Sequence, residues 1–142
     1  MRKQFWILSC TLLASASLAA AATEVEMEAC QYTPEVKKEL KLMAAQEPKV
    51  EKVYSDLAPM LQQIQEAMQQ REQLRKSGAE ESSIEKQTQK VIALENQCRE
   101  KGHELLKPIL NDAQYKLILE MEEVHRKKMQ ERRTAGQPAH NM

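Results

Sequence analysis

Two cysteines that lie far apart in the chain are the first residues whose types suggest chemistry. Cys30 and Cys98 enclose a loop of about 70 residues, and in an exported protein such a pair is a candidate disulfide. Closing a loop of this length would stabilise the folded chain by roughly 4 kcal/mol in the chain-entropy estimate. Two free thiols, or a bridge between two subunits, are the alternatives that the sequence leaves open.

His125 is the histidine whose neighbours suggest a metal site. Glu122 lies three residues before it, and Met121 and Met129 lie four residues away on either side, so these side chains can share one helical face. Thioether and imidazole ligands suit a soft metal, although a second subunit would have to complete the site. We favour the alternative, a half-buried histidine packed among methionines, and therefore predict neither a metal nor a cofactor.

The sequence gives no support for an enzyme. Covalent catalysis needs a nucleophile held within hydrogen-bond reach of a base. No nucleophile elbow, phosphate-cradling glycine loop or HExxH motif occurs in the chain. We therefore predict a binding or structural protein.

Residues 1–22 have the composition of a secretory signal peptide. Arg2 and Lys3 precede an apolar run that ends in alanines, so we expect cleavage near residues 20–22, export to the periplasm and no stable membrane span afterwards. A retained anchor and a lipoprotein acylated at Cys10 are the alternatives. Cleavage would leave a slightly acidic chain without Trp or Phe, which disfavours nucleic-acid binding.

The rest of the chain predicts an all-α fold of about four helices with a long antiparallel helical hairpin. We assign residues 23–133 to one domain and residues 134–142 to a disordered tail. Thr33 and Pro34 suit the start of the first helix, and Pro48 is expected to end it.

The predicted hairpin consists of the second and third helices. The second runs to about Lys76, with Gly78 as its C-terminal cap, and Pro59 predicts a break or kink within residues 55–59. The third runs from about Ser82 to Leu106, and the short turn between two long helices favours antiparallel packing.

The fourth helix has the clearest start signal. Asn111 suits the N-cap, and Gln114 at the third helical position can reach back to the N-cap amide, which together form a capping box. Leu110 and Tyr115 stand at the positions of a hydrophobic staple. This helix should end near Arg133.

The segment LNDAQ, residues 110–114, resembles the LTxxQ motif of the Spy/CpxP family of periplasmic proteins. Members carry the motif twice, each time where a helix begins. Leu110 and Gln114 match it, while Asn111 stands in place of threonine.

The first copy of the motif would be YTPEV, residues 32–36, in which Thr33 alone matches. With the signal peptide and the helical layout, the resemblance extends over roughly residues 30–133. It implies a small curved all-α fold, paired into a homodimer whose apolar and basic concave face holds unfolded client proteins without ATP. Some relatives restrain the periplasmic domain of an envelope-stress sensor kinase, and others bind zinc. Because the first copy of the motif matches at one position only and the chain lacks net positive charge, a sensor-kinase domain and zinc stay alternatives to unfolded clients.

Methionines and a basic run supply the candidate client-contact residues. Flexible thioether side chains adapt to varied apolar surfaces, and basic side chains can steer a client. The candidates are Met60, Ile64, Met68, Met121, Met129, Arg126, Lys127 and Lys128.

Overall fold

The structure is a computed structural model that describes residues 23–136, and over that range it contains four α-helices and no strand. The helices are α1 (Pro34–Leu40), α2 (Glu47–Lys76), α3 (Glu81–Leu106) and α4 (Asp112–Ala135). The predicted all-α class is confirmed. The expected signal peptide lies outside the described residues, as does most of the expected tail. Thr134 and Ala135 belong to α4, so the predicted tail began too early.

The first helix is shorter than predicted. The Thr33 side chain accepts a hydrogen bond from the Val36 N–H at 3.3 Å and caps the helix start. Lys41 adopts a left-handed conformation with φ 47° and ends α1 there, well before Pro48. Pro48 instead lies in the first turn of α2, where its missing N–H would have no helical partner in any case.

The second helix runs through Pro59 without the predicted break. Pro59 removes the N–H that would bond the Ser55 carbonyl, but both residues are exposed, so water can hydrate that carbonyl. Val53 and Leu57 on the opposite face are buried. The packing of this face outweighs the lost hydrogen bond and keeps the helix continuous.

The turn between α2 and α3 is built on Gly78, as predicted. Gly78 has φ 70°, and its N–H donates to the Arg75 carbonyl at 3.3 Å. The Ala79 N–H donates to the Leu74 carbonyl at 3.0 Å. These two bonds form a Schellman cap, which reverses the chain and lets α2 and α3 pack along their length.

The core lies mainly along the α2–α3 contact. Toward the end of α3, a Cβ atom at Gly102 would lie 3.5 Å from the Leu57 Cδ1 atom. Cys98 and Leu106, one helical turn away on either side, are almost fully buried. The buried positions of α3 here follow a spacing of four, and Leu105 is partly buried against the same core.

The segment before α1 braces the outer side of this core. The Met27 N–H donates to the Met121 carbonyl of α4 at 3.1 Å, and Glu26 forms an ion pair with Lys128 at 3.3 Å. A disulfide joins Cys30 to Cys98 in α3. Three contacts thus tie one short segment to two helices.

In the described part of the chain, no helix has both the length and the apolar character that a bilayer span requires.

Gly102 gives a test of how closely the hairpin packs. Gly102→Ala should raise the free energy of unfolding by roughly 0.5–1 kcal/mol, because the added methyl group meets Leu57 at ordinary contact distance and alanine is the better helix former. Gly102→Leu should lower it by roughly 1–3 kcal/mol through overpacking. Urea denaturation measures both, and a destabilising alanine would show that the helices lie closer than described.

Candidate functional site

The glutamine of the LTxxQ-like motif has a second role beyond its helix cap. The Asn111 side chain accepts from the Gln114 N–H at 2.8 Å, and the Gln114 Oε1 accepts from the Asn111 N–H at 3.1 Å. The structure therefore has the capping box at the predicted residues. Leu110 of the staple is buried, and Tyr115 packs against the core.

The same Gln114 side chain bonds Gln46, the residue before α2. The two amides exchange hydrogen bonds, at 2.8 Å from Gln46 Nε2 and at 3.0 Å from Gln114 Nε2. Gln114 Nε2 also donates to the Leu40 carbonyl at 3.3 Å, and Gln46 Nε2 donates to the Ile109 carbonyl at 3.1 Å. This glutamine pair joins the end of α1, the start of α2 and the start of α4. Both side chains are buried.

A second polar cluster lies beneath the N-terminal segment. Both carboxylate oxygens of Glu122 lie 2.9 Å from His103 Nε2, and Arg99 Nε lies 3.8 Å from Glu122. Glu122 is therefore engaged away from His125. The ligand set considered for a metal at His125 fails on this ground and because Met121 is fully buried. Over residues 23–136 no group of three or more His, Cys, Asp or Glu side chains is arranged to hold a metal.

Tyr54 lies beside this cluster with a buried hydroxyl that has no hydrogen-bond partner among the described residues. Burial raises the pKa of Tyr54 well above its usual value, and the nearby charge of Glu122 raises it further. The ring stacks on Tyr32 with centroids 4.6 Å apart.

The C-terminal half of α4 leaves the core. Its buried residues, Gln114, Ile118 and Met121, all belong to the first half of the helix. Beyond them α4 and the hairpin enclose a groove of about 380 Å³. We call it the arginine-rimmed groove. Its apolar lining is Met68, Val91, Ile92 and Met129, and its arginines are Arg71, Arg99, Arg126 and Arg133.

Two of the predicted client-contact methionines line this groove. Met68 is 40% exposed and Met129 is 36% exposed, so both can meet a ligand. His125 also belongs to the lining, and its Nδ1 atom is buried without a hydrogen-bond partner among residues 23–136.

The other three apolar candidates are core residues, and their assignment to a contact surface is wrong in this conformation. Ile64 and Met121 are 3% and 0% exposed, respectively, and Met60 packs against the same core.

The basic run after Val124 does not form one surface. Arg126 lines the groove and bonds Glu123 at 2.7 Å, and the hydrogen bond from Arg126 holds the pKa of Glu123 below its usual value. Lys127 lines a different, shallow depression with the exposed Leu119, and Lys128 pairs with Glu26. The three basic side chains therefore lie in three different environments.

Sequence reasoning missed Gln46 and the arginines of α2. Gln46 precedes a Glu-Pro helix start, which is a signal for a cap but carries no indication of a buried partner. Arg71 carries no local signal of a ligand. Whether it lines a site depends on the path of α4, which local periodicity cannot show.

The chain matches no family model, and no significant match was found among curated proteins or among solved structures. The resemblance to the Spy/CpxP family therefore rests on the motif and the helical layout.

The glutamine pair predicts a larger cost for Gln114→Ala than for Asn111→Ala. Removing the N-cap should lower the free energy of unfolding by about 1 kcal/mol. Removing Gln114 should lower it by roughly 2–4 kcal/mol, because buried groups on α1 and Gln46 lose their partners. Chemical denaturation measures both, and Gln65→Ala on the exposed face of α2 is the control. Equal costs for the two variants would contradict a role for Gln114 beyond capping.

Tyr54 predicts an alkaline loss of stability. Because its folded pKa is raised, the unfolded chain ionises first above about pH 10, and stability falls with pH by up to about 1.4 kcal/mol per unit from this group. Tyr54→Phe should remove this part of the slope. The test is to measure the denaturation midpoints of the wild type, of Tyr54→Phe and of the control Tyr115→Phe between pH 8 and pH 11. Parallel curves for wild type and Tyr54→Phe would refute the burial argument.

Proposed function

We propose that this protein is an ATP-independent, chaperone-like protein of the periplasm that holds unfolded or stressed envelope proteins. The observation that supports the proposal most is the arginine-rimmed groove, whose lining combines the partly exposed Met68 and Met129 with four arginines. A soft apolar surface with a charged rim can accept many sequences without shape specificity.

The resemblance to the Spy/CpxP family adds the cellular setting to this proposal. It supports export, pairing into a homodimer and action on unfolded clients. In the groove, a client would insert apolar side chains between α4 and the hairpin while its main chain stays hydrated at the mouth. Arginines at the rim would attract acidic clients and speed capture.

The test is suppression of aggregation of a model client diluted from denaturant, without nucleotide and without reducing agent, so that the Cys30–Cys98 disulfide stays formed. The wild type should suppress aggregation at near-equal molar ratio. Met68→Ser/Met129→Ser should need several times more protein, because the apolar lining is lost while the core is untouched.

The matched control is Met43→Ser/Leu119→Ser, which removes two other exposed apolar side chains that lie outside the groove. This variant should suppress aggregation as the wild type does. If the wild type has no effect at about tenfold excess, the proposed function is wrong. Equal losses in the two double variants would show that the groove is not the client surface.

A further inference from the structure

The charges along the arginine-rimmed groove are compensated at one end and uncompensated at the other. At the inner end, Arg99 lies 3.8 Å from Glu122, and Arg126 bonds Glu123 at 2.7 Å. A neighbouring depression, which shares Arg71, Ile92, Met129 and Arg133 with the groove, continues it toward the α2–α3 turn, and we call this depression the outer end. Its four arginines are Arg71, Arg75, Arg132 and Arg133. In the part of the chain that the structure describes, none of these four has a carboxylate at ion-pair distance.

These four arginines come from two helices and line the same depression. Arg71 and Arg75 are one turn apart on α2, and Arg132 and Arg133 lie in the last turn of α4. Like charges that converge without a partner repel each other, and an anion bound between them would relieve the repulsion. The planar guanidinium fork fits carboxylate, sulfate and phosphate groups.

The acidic side chains nearby do not neutralise the cluster. Glu81 and Glu85 of α3 line the outer end, but neither forms an ion pair with the arginines there. Four cations against two anions leave a net positive outer end. A ligand that is drawn to it therefore carries negative charge.

The inner part of the groove offers the opposite chemistry. Ile92 and Met129 line both the inner and the outer parts, so the apolar lining continues from the arginines toward Val91 and Met68. The stretch of α3 from Ile84 to Glu95 that borders the groove is about 16 Å long. Ile84, Val91 and Ile92 are the apolar lining residues of this stretch, and Thr88, Gln89 and Glu95 lie among them. A cationic cluster beside apolar side chains has the polarity of an amphiphile site.

We propose that the groove binds a single-chain anionic amphiphile. The head group lies among the four outer arginines, and the alkyl chain extends inward along Met129, Ile92 and Met68. This goes beyond the holding of clients, and it gives the groove a small ligand that would compete with them.

An alkyl chain fits the whole length of the groove better than a peptide does. Gln130 and His125 are the neutral polar side chains of the inner lining, and the backbone groups of the surrounding helices are already bonded within those helices. The arginines could donate to the C=O groups of an extended peptide laid inside, but only Glu95, Gln130 and His125 could accept from its N–H groups, so most of those would lack partners. A hydrocarbon chain has no such groups to satisfy.

The experiment is calorimetric titration of the purified protein with dodecanoate below its micelle concentration. Dodecyltrimethylammonium has the same chain with the opposite charge, and acetate has the head group without the chain. Dodecanoate should bind at micromolar concentration, and each of the other two should bind at least about tenfold more weakly. Dodecanoate should also raise the protein concentration needed to suppress client aggregation.

The variant Arg71→Glu/Arg133→Glu should weaken dodecanoate binding at least about tenfold. Its matched control, Lys86→Glu/Lys90→Glu, makes the same change in net charge on exposed positions of α3 outside the groove, and it should bind within about twofold of the wild type. Arg133→Gln, at the exposed end of α4, should give an intermediate loss and cannot disturb the core.

Several results would overturn the amphiphile site. These are no heat of binding for dodecanoate, equal affinity for the cationic amphiphile, equal affinity for acetate, and an equal loss in the lysine control. An acidic peptide that binds in an arginine-dependent way when dodecanoate does not would assign the groove to proteins instead. If the protein holds clients but does not bind dodecanoate, the proposed function stands and only the amphiphile site is wrong.

Discussion

The position of α4 depends on a buried pair of amides. Gln46 and Gln114 exchange hydrogen bonds at 2.8 Å and 3.0 Å, and each also satisfies a main-chain carbonyl at a place where one element ends and another begins. Buried amides are costly unless every donor and acceptor is paired. This requirement allows few relative positions of the three elements, so the pair fixes the direction in which α4 sets out along the hairpin.

That direction determines the groove. α4 starts in contact with the core, buries Ile118 and Met121, and then continues as a helix whose inner face meets Met68 and Arg71 across open space. A helix that ended at Met121 would complete the core and leave no groove. The basic C-terminal half of α4 adds little to the core, and its presence is easier to understand if it faces a ligand.

Local signals in the sequence predicted the features that depend on interactions between residues close together in the chain. The capping box at Asn111 and the glycine cap at Gly78 depend on residues within one turn of each other, and the structure has both. Of the break or kink expected at Pro59, the structure excludes the break, because the packing of a distant helix decides whether one lost hydrogen bond ends α2.

The residues of the candidate site could not all be predicted, because they come together through long-range packing that local sequence patterns do not contain. Ile64 and Met68 are apolar residues one turn apart on α2, yet Ile64 is buried in the core and Met68 lines the groove. Gln46 and Gln114 are 68 residues apart, and nothing near either of them indicates the other. Pairing across such distances follows from the order in which helices pack, and a single sequence does not reveal it.

The bracing segment ahead of α1 also constrains how the molecule can assemble during synthesis. Met27 bonds Met121, and Cys30 is bridged to Cys98, so the earliest described residues find their partners only after nearly all of the polypeptide has emerged. Contacts of such long sequence separation form slowly. Until then the hairpin surface that this segment covers stays open to solvent, and the newly made chain is for a time in the same condition as the proteins it is proposed to hold.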